Sequence, residues 1–193
     1  VITVACVNYG NYLSHGDEYV DNLRAMVART MPRGQTYTFR CLKDVGPWGS
    51  WWSKIELFRP GMFPPGRVLY LDLDSVITGP LAPVLENTGT IYLRDWGWKT
   101  DTLCSSVMVW DTGVHENIFN RFDSSVPTEL RGDQDWITKL GGWNRLPPHL
   151  CRSYRYHAVN GPPSGCSVVN FHGLPKPHQL VSGWVPQVWR GRE

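Results

Sequence analysis

The residues with the clearest chemical potential lie in Val68-Leu69-Tyr70-Leu71-Asp72-Leu73-Asp74, an apolar run that ends on two carboxylates. If strand periodicity continues through the motif, Asp72 and Asp74 project to one side and Leu73 to the other. Two like charges held this close are unfavourable without a cation. A divalent cation bridging the carboxylates to phosphate oxygens would find the hard oxygen ligands it prefers. The plainer alternative is a pair of strand-end carboxylates that cap nearby backbone groups. A second motif follows far downstream, in Val168-Val169-Asn170-Phe171-His172-Gly173-Leu174-Pro175-Lys176-Pro177. Here a strand delivers His172 into a turn, Gly173 permits close backbone approach, and Lys176 is offered between two prolines. An imidazole can complete a metal shell, and a lysine can neutralise a departing diphosphate.

Two enzyme classes place Asp-x-Asp at the end of an apolar strand. Phosphatases of the haloacid dehalogenase type use the first Asp as nucleophile, whereas nucleotide-sugar transferases use the pair to hold a cation. The phosphatases carry the motif in their first strand, with a Lys and an acidic pair downstream. In this chain it follows a complete strand–helix–strand unit, and no Asp-Asp pair lies near the C-terminus. Position therefore favours the transferase. A non-catalytic nucleotide-sugar or glycan-binding module is the rival from a different class, since it would keep the aromatics and even the metal.

The elements that must position these residues can be read from periodicity. Ile2 to Val7 is a strand-sized apolar run, followed by the turn Asn8-Tyr9-Gly10-Asn11. Between Asp17 and Arg29, Tyr19, Val20, Leu23, Met26 and Val27 recur at helical spacing, and Pro32-Arg33-Gly34 closes the element. Thr36 to Leu42 reads as a second strand, which completes a βαβ unit and implies a parallel sheet. A short helix at Ser53–Phe58 precedes the strand Arg67–Leu71. Further strands are expected at Thr90–Arg94, Val107–Trp110 and Ser167–Phe171, with a helix at Asp133–Leu140. The tail from Pro175, rich in Pro, Gly and Trp, reads as an ordered loop that closes over the site. The carboxylate pair then sits at the carboxyl end of a parallel strand, where open α/β sheets gather their ligand chemistry. Neither repeats nor a low-complexity linker interrupt the chain, so one domain over 1–193 is expected. Residues 1–80 would form the nucleotide-binding half and 81–193 the donor-sugar and acceptor half.

A chain of 193 residues suits a single α/β domain that buries its own core. The formal net charge of +2 implies no basic face for nucleic acid. Ten Trp and eight Tyr are enough to fill the core and also to supply ring faces for sugars or a base, with Trp51-Trp52 and Trp96-Gly97-Trp98 near loops. The five cysteines show no CxxC spacing, so neither a disulfide framework nor a zinc site is indicated, and a reducing, cytoplasmic setting is expected. Cys6 and Cys41 read as small buried hydrophobes. No run is long enough to span a membrane.

The order Asp-x-Asp, then Gly132-Asp133-Gln134, then His172-x-Gly173-x-x-Lys176-Pro177 resembles glycosyltransferase family 8, which includes glycogenin and bacterial galactosyltransferases. That resemblance implies a single GT-A (Rossmann-like) α/β domain, manganese or magnesium, a UDP-sugar donor, and transfer to an acceptor hydroxyl with retention of configuration. It further implies that Asp72, Asp74 and His172 are metal ligands and that Gly173 and Lys176 contact the diphosphate. Asn8 and Tyr12 correspond to the nucleotide-binding turn, and Lys54 to the basic residue that reaches the donor. Asp133 and Gln134 correspond to the pair beside the donor sugar, with Gln134 nearest the anomeric carbon. Asp95 and Asp101 are further candidates for sugar hydroxyls. The chain departs from the family in two places: Cys104-Ser105-Ser106 stands where Asn-Ser-Gly is usual, and His178 where Trp often follows Lys-Pro.

Overall fold

The computed structural model describes residues 1–94 and 102–191. Asp95, Trp96, Trp98 and Asp101 lie outside them. Strand β1 (Ile2–Asn8) runs through a turn into helix α1 (Gly16–Thr30), which returns the chain to β2 (Tyr37–Lys43). A 3-10 segment, Ser50–Phe58, leads to β3 (Arg67–Leu71), and a turn then joins β4 (Ser75–Ile77). There follow α2 (Ala82–Leu85), β5 (Thr90–Arg94), β6 (Thr102–Asp111), α3 (Asn117–Asn120) and α4 (Val126–Glu129). The chain continues through α5 (Asp133–Gly141), β7 (Asn144–Arg145), β8 (Cys151–Ser153), β9 (Val168–Asn170) and α6 (Trp184–Arg190).

Six strands form a mixed but mostly parallel sheet in the order β2-β1-β3-β6-β5-β7, in which β6 runs antiparallel to both of its neighbours. Side-chain alternation divides the core between the two faces. Val4, Cys6, Leu69, Leu71, Val107 and Val109 point to the face covered by α1 and α6. Ala5, Val68, Tyr70, Met108 and Trp110 point to the face covered by the 3-10 segment and α5. Strands buried on both sides read as unbroken apolar runs, which is why β1 and β3 stand out in the sequence. All five apolar positions expected on α1 are buried; each such side chain contributes about 1.5–3 kcal/mol when removed from water.

A smaller sheet, β4-β9-β8, carries the chain from the first motif to the second. β4 pairs antiparallel with β9 so that Ser75 faces Asn170, and the Ser75 hydroxyl donates to the Asn170 side-chain oxygen at 2.9 Å. That register puts Asp74 and the Phe171-His172 turn at the same end of the ladder. The tail differs from expectation. It is not a loop throughout: Trp184–Arg190 is helical, with Trp189 fully buried against Tyr19 at 4.9 Å between ring centroids. Its proline, Pro186, sits in the first turn, where the missing N–H has no intrahelical partner to lose. All five cysteines are free thiols, and Cys6 faces Cys41 across the β1–β2 register. Cys6 is buried as expected, but Cys41 on the outer strand is only half-buried. Among the described residues no helix is long and apolar enough to cross a membrane.

A candidate functional site at the strand ends

A cavity of about 640 Å³ opens at the carboxyl ends of β1 and β3, within the usual range of roughly 300–1,000 Å³ for small-molecule sites. Asp72, Asp74, His172 and Lys176 all line it, and so do Lys54, Asp133, Gln134 and Tyr12. Residues from both motifs and from α5 therefore meet in one place. Asn8 and Gly173 do not appear on its wall. Asn8 is buried, its side-chain oxygen accepts the Tyr12 backbone N–H at 3.0 Å, and it is wedged against Gly16, where a Cβ would come within 2.4 Å of it. Asn8 thus shapes the turn that presents Tyr9 and Tyr12. Gly173 has φ +68°, so its role in the chain is to make the turn after His172.

The carboxylate pair is not a continuation of β3, as strand periodicity suggested. The strand stops at Leu71 and a turn follows, closed by Ser75 N–H to the Asp72 carbonyl at 3.0 Å. Leu73 is buried in the core while both carboxylates reach the cavity. The turn changes the chain from the large sheet to the small one, which is how one tripeptide serves both.

The two carboxylates have different surroundings. Asp72 is held at 2.8 Å by the Lys54 ammonium and accepts the Tyr70 hydroxyl at 2.7 Å. Burial pushes its carboxyl up, but Lys54 with the Tyr70 and Ser106 hydroxyls outweighs burial and holds it below its usual value. Asp74 accepts the Tyr12 hydroxyl at 2.8 Å and pairs with Lys176. There burial and the like charge of Asp72 prevail over Lys176 and Tyr12, and the carboxyl is pushed up. Tyr12, half-buried and facing Asp74, is held strongly in its neutral form, so it is a hydrogen-bond donor.

Lys54 ties the floor together. Its ammonium also lies 3.2 Å from Asp133 and 3.2 Å from the Ser105 hydroxyl, which itself donates to Asp133 at 2.7 Å. Ser105 reaches this position because β6 bulges: Met108 stands opposite Ile91, but Cys104 already stands opposite Tyr92, and residues 105–107 lie between. Bulges beside sites re-aim side chains in this way. Cys104, at the point where the resemblance leads one to expect an amide, lies on the cavity wall.

The chemistry of Asp72, Asp74 and His172, two carboxylates and an imidazole on one wall, fits a divalent cation. Among the described residues, however, no three such side chains are grouped so as to hold an ion, and each carboxylate is paired with a lysine. The His172 ring instead stacks parallel to Tyr92, with centroids 6.3 Å apart. Sequence reasoning missed Tyr9 and Arg131. Both line the cavity, and Tyr9 is 41% exposed, its hydroxyl passing close over Gly49. Tyr9 had a signal, since it stands in the same turn as Tyr12.

The strap that brings Lys176 to Asp74 is pinned to α1. Lys176 N–H donates to the Gln179 side chain at 2.7 Å, Arg29 donates to the Val188 carbonyl at 2.8 Å, and Arg190 pairs with Glu18 at 3.4 Å. His178, in place of the usual Trp, stacks on His15 at 4.5 Å and shares a 2.6 Å hydrogen bond with the Tyr19 hydroxyl. Burial, His15, Arg190 and Lys176 disfavour its protonated form, Glu18 favours it, and the net shift is downward. The unfolded chain then binds the proton more readily than the folded one. This contribution to docking is complete above the ordinary histidine range, about pH 6.5, and is lost as pH falls through the lower folded value. Hydrogen-exchange protection over residues 175–191, corrected for the intrinsic slowing of exchange in acid, should fall in the native chain as pH drops below the ordinary histidine range, about 6.5, and His178→Gln should flatten that dependence.

Sequence comparison matches no family model and no curated protein. Solved structures do match. GlyE of Streptococcus pneumoniae TIGR4, a glycosyltransferase, superposes with a TM-score of 0.68 at 13% identity, covering 99% of this chain and 60% of GlyE. The galactosyltransferase LgtC, solved with donor and acceptor sugar analogs, superposes at 0.67 with 13% identity, covering 98% of this chain and 94% of LgtC. The bifunctional glycosyltransferase WbbM gives 0.63 at 11% identity over 92% of this chain and 46% of its own length. The chain has a GT-A fold. Its carboxylate turn, bulged β6 and helix α5 belong to that architecture's central mostly parallel sheet and flanking helices.

Proposed function

We propose that the chain is a glycosyltransferase of the family 8 kind, which moves a sugar from a nucleotide-sugar, a UDP-sugar, to an acceptor hydroxyl with retention of configuration. The observation that carries this reading is the convergence of Asp72, Asp74, His172, Lys176 and Gln134 on one cavity at the strand ends of a GT-A fold. Asp72, Asp74 and His172 would hold the cation, manganese or magnesium, once Lys176 leaves Asp74 for the diphosphate and the three side chains draw together. Bound there, it would act as a Lewis acid toward the diphosphate oxygens. Lys176 neutralises the charge that develops as the nucleoside diphosphate leaves. Tyr9 offers its half-exposed ring to the base. Asp133, fixed by Lys54 and Ser105, accepts sugar hydroxyls, and Gln134 lies beside the anomeric carbon. The bond from that carbon to the diphosphate breaks with its electron pair on the phosphate oxygen. The acceptor oxygen bonds to the carbon on the same face, and its proton passes to the departing phosphate.

A panel of nucleotide-sugars with manganese, scored by nucleoside diphosphate release, tests this reading. Release from one donor, with simple phosphate monoesters left intact, is the expected outcome. Silence across the panel combined with hydrolysis of monoesters and a phosphorylated Asp72 would instead establish a phosphatase. Binding without any release would establish a non-catalytic module.

A further inference from the structure

Trp51 stands apart from the other tryptophans of the core. It is 54% exposed, yet it lines the same cavity as the carboxylates. Its neighbour Trp52 is buried and packs on Phe122 at 5.4 Å between ring centroids, so the pair divides into one structural ring and one presented ring. The 3-10 geometry of Ser50–Phe58 explains the placement. Residues three apart eclipse one another in such a helix, at a rise of about 2 Å per residue. Trp51 and Lys54 therefore share one side of the segment, about one turn or roughly 6 Å apart along its axis, and Trp51 is the more exposed of the two. Lys54 marks the floor, where it touches Asp72 and Asp133. On the other side the indole abuts the start of α5: a Cβ on Gly132 would lie 3.5 Å from the Trp51 Nε1. Ser50, Arg131 and Gln134 bring hydroxyl, guanidinium and amide groups to the lining of the same cavity.

This order has a consequence for a substrate arranged along the cavity. The diphosphate belongs at the Asp74–Lys176 corner, and the transferred sugar next to it, beside Asp133 and Gln134. Trp51 lines the same cavity against Gly132, just ahead of Asp133 and Gln134, and is more than half exposed. A flat apolar face edged by hydrogen-bonding groups is complementary to a pyranose, which presents a C–H face and a rim of hydroxyls. We propose that Trp51 is the platform for the acceptor, and that the acceptor is a glycan whose terminal hexopyranose stacks on this indole. The proposal rests on the donor reading given above.

The test uses saturation-transfer NMR with methyl hexopyranosides and disaccharides, alongside acceptor kinetics with the turned-over nucleotide-sugar. The native chain should show saturation transfer to one class of glycoside, which Trp51→Ala abolishes and Trp51→Phe largely keeps. Trp51→Ala should raise the acceptor KM at least about tenfold, with kcat reduced far less. Half exposure means that its truncation leaves the core intact, which an unchanged unfolding midpoint verifies. If glycosides bind through Trp51 but no nucleotide-sugar is turned over, the donor reading fails and the sugar platform stands. Turnover with glycoside binding and acceptor KM indifferent to Trp51→Ala overturns the platform. A Trp51→Ala variant that loses affinity only for the free nucleotide also overturns it, by assigning the indole to the base.

Discussion

Asp74→Asn should lower donor turnover by roughly 10²–10³-fold or more, while the unfolding midpoint moves by little. The two halves of that expectation have one cause. Asp74 is held in an environment that disfavours its charge, through burial and through Asp72, and Lys176 with Tyr12 only partly compensates. A neutral amide of the same shape relieves the repulsion from Asp72 while giving up the pairing with Lys176, so the changes in folding energy oppose one another. Lys176 keeps the Phe171 carbonyl as a partner at 3.2 Å. Catalysis has no such compensation if the proposed cation is held there, because a neutral amide is a far weaker ligand than a carboxylate for a divalent ion. Sites that hold a charge against its environment are where function outweighs stability. Steady-state nucleoside diphosphate release at saturating manganese, paired with urea unfolding, reads both halves. Undiminished release from Asp74→Asn would remove Asp74 from the cation shell.

The sequence carries the fold unevenly, for physical reasons. α1 and β3 are legible because each buries a periodic apolar face against one large core, and β3 is bounded as its apolar run implies. The three-residue strands β4 and β8 carry no periodicity to read, yet β4 with β9 is what brings Asp74 and His172 together. α6 was hidden by composition: Pro186 and the flanking Gly183 and Gly191 resemble a loop, and only docking of Trp189 on Tyr19 makes the helix worthwhile. Within the site, chemical type was legible and pairing was not. Asp-x-Asp, His172 and Lys176 could be placed in one cavity by motif order, but nothing local says that Lys54 reaches Asp72 or that Lys176 reaches Asp74. Those contacts join residues far apart in the chain. The same holds for Tyr12, expected at the nucleotide, whose hydroxyl the structure commits to Asp74, and for its unflagged neighbour Tyr9, whose ring it leaves half-exposed at the cavity.

Lys54→Met should destabilise the chain by about 3–5 kcal/mol, the usual cost of stranding a buried ion-pair partner. Lys54 is nearly buried and is shared between Asp72 and Asp133, with the Ser105 hydroxyl on both the lysine and Asp133. Burial alone would lower its pKa, but the two carboxylates outweigh burial and keep it charged throughout the physiological range. Removing the ammonium leaves two carboxylates in the cavity floor with only hydroxyl partners. One of them, Asp72, is the carboxylate whose charge the site now stabilises. For a domain of this size each kcal/mol lowers the melting temperature by about 2–4 °C, so a loss of roughly 6–20 °C is expected. A methionine fills the aliphatic path of the lysine, which confines the loss to electrostatics. Adding Asp133→Asn to Lys54→Met should recover part of the stability, because the second change removes one of the stranded charges; a double-mutant cycle measures the coupling. The opposite arithmetic, strict additivity of the two losses, would mean that Lys54 and Asp133 do not share a charge in the folded chain. Activity discriminates further: if Lys54 acts by fixing Asp72 and Asp133, its loss should weaken donor binding and turnover together, since both carboxylates lose their position at once.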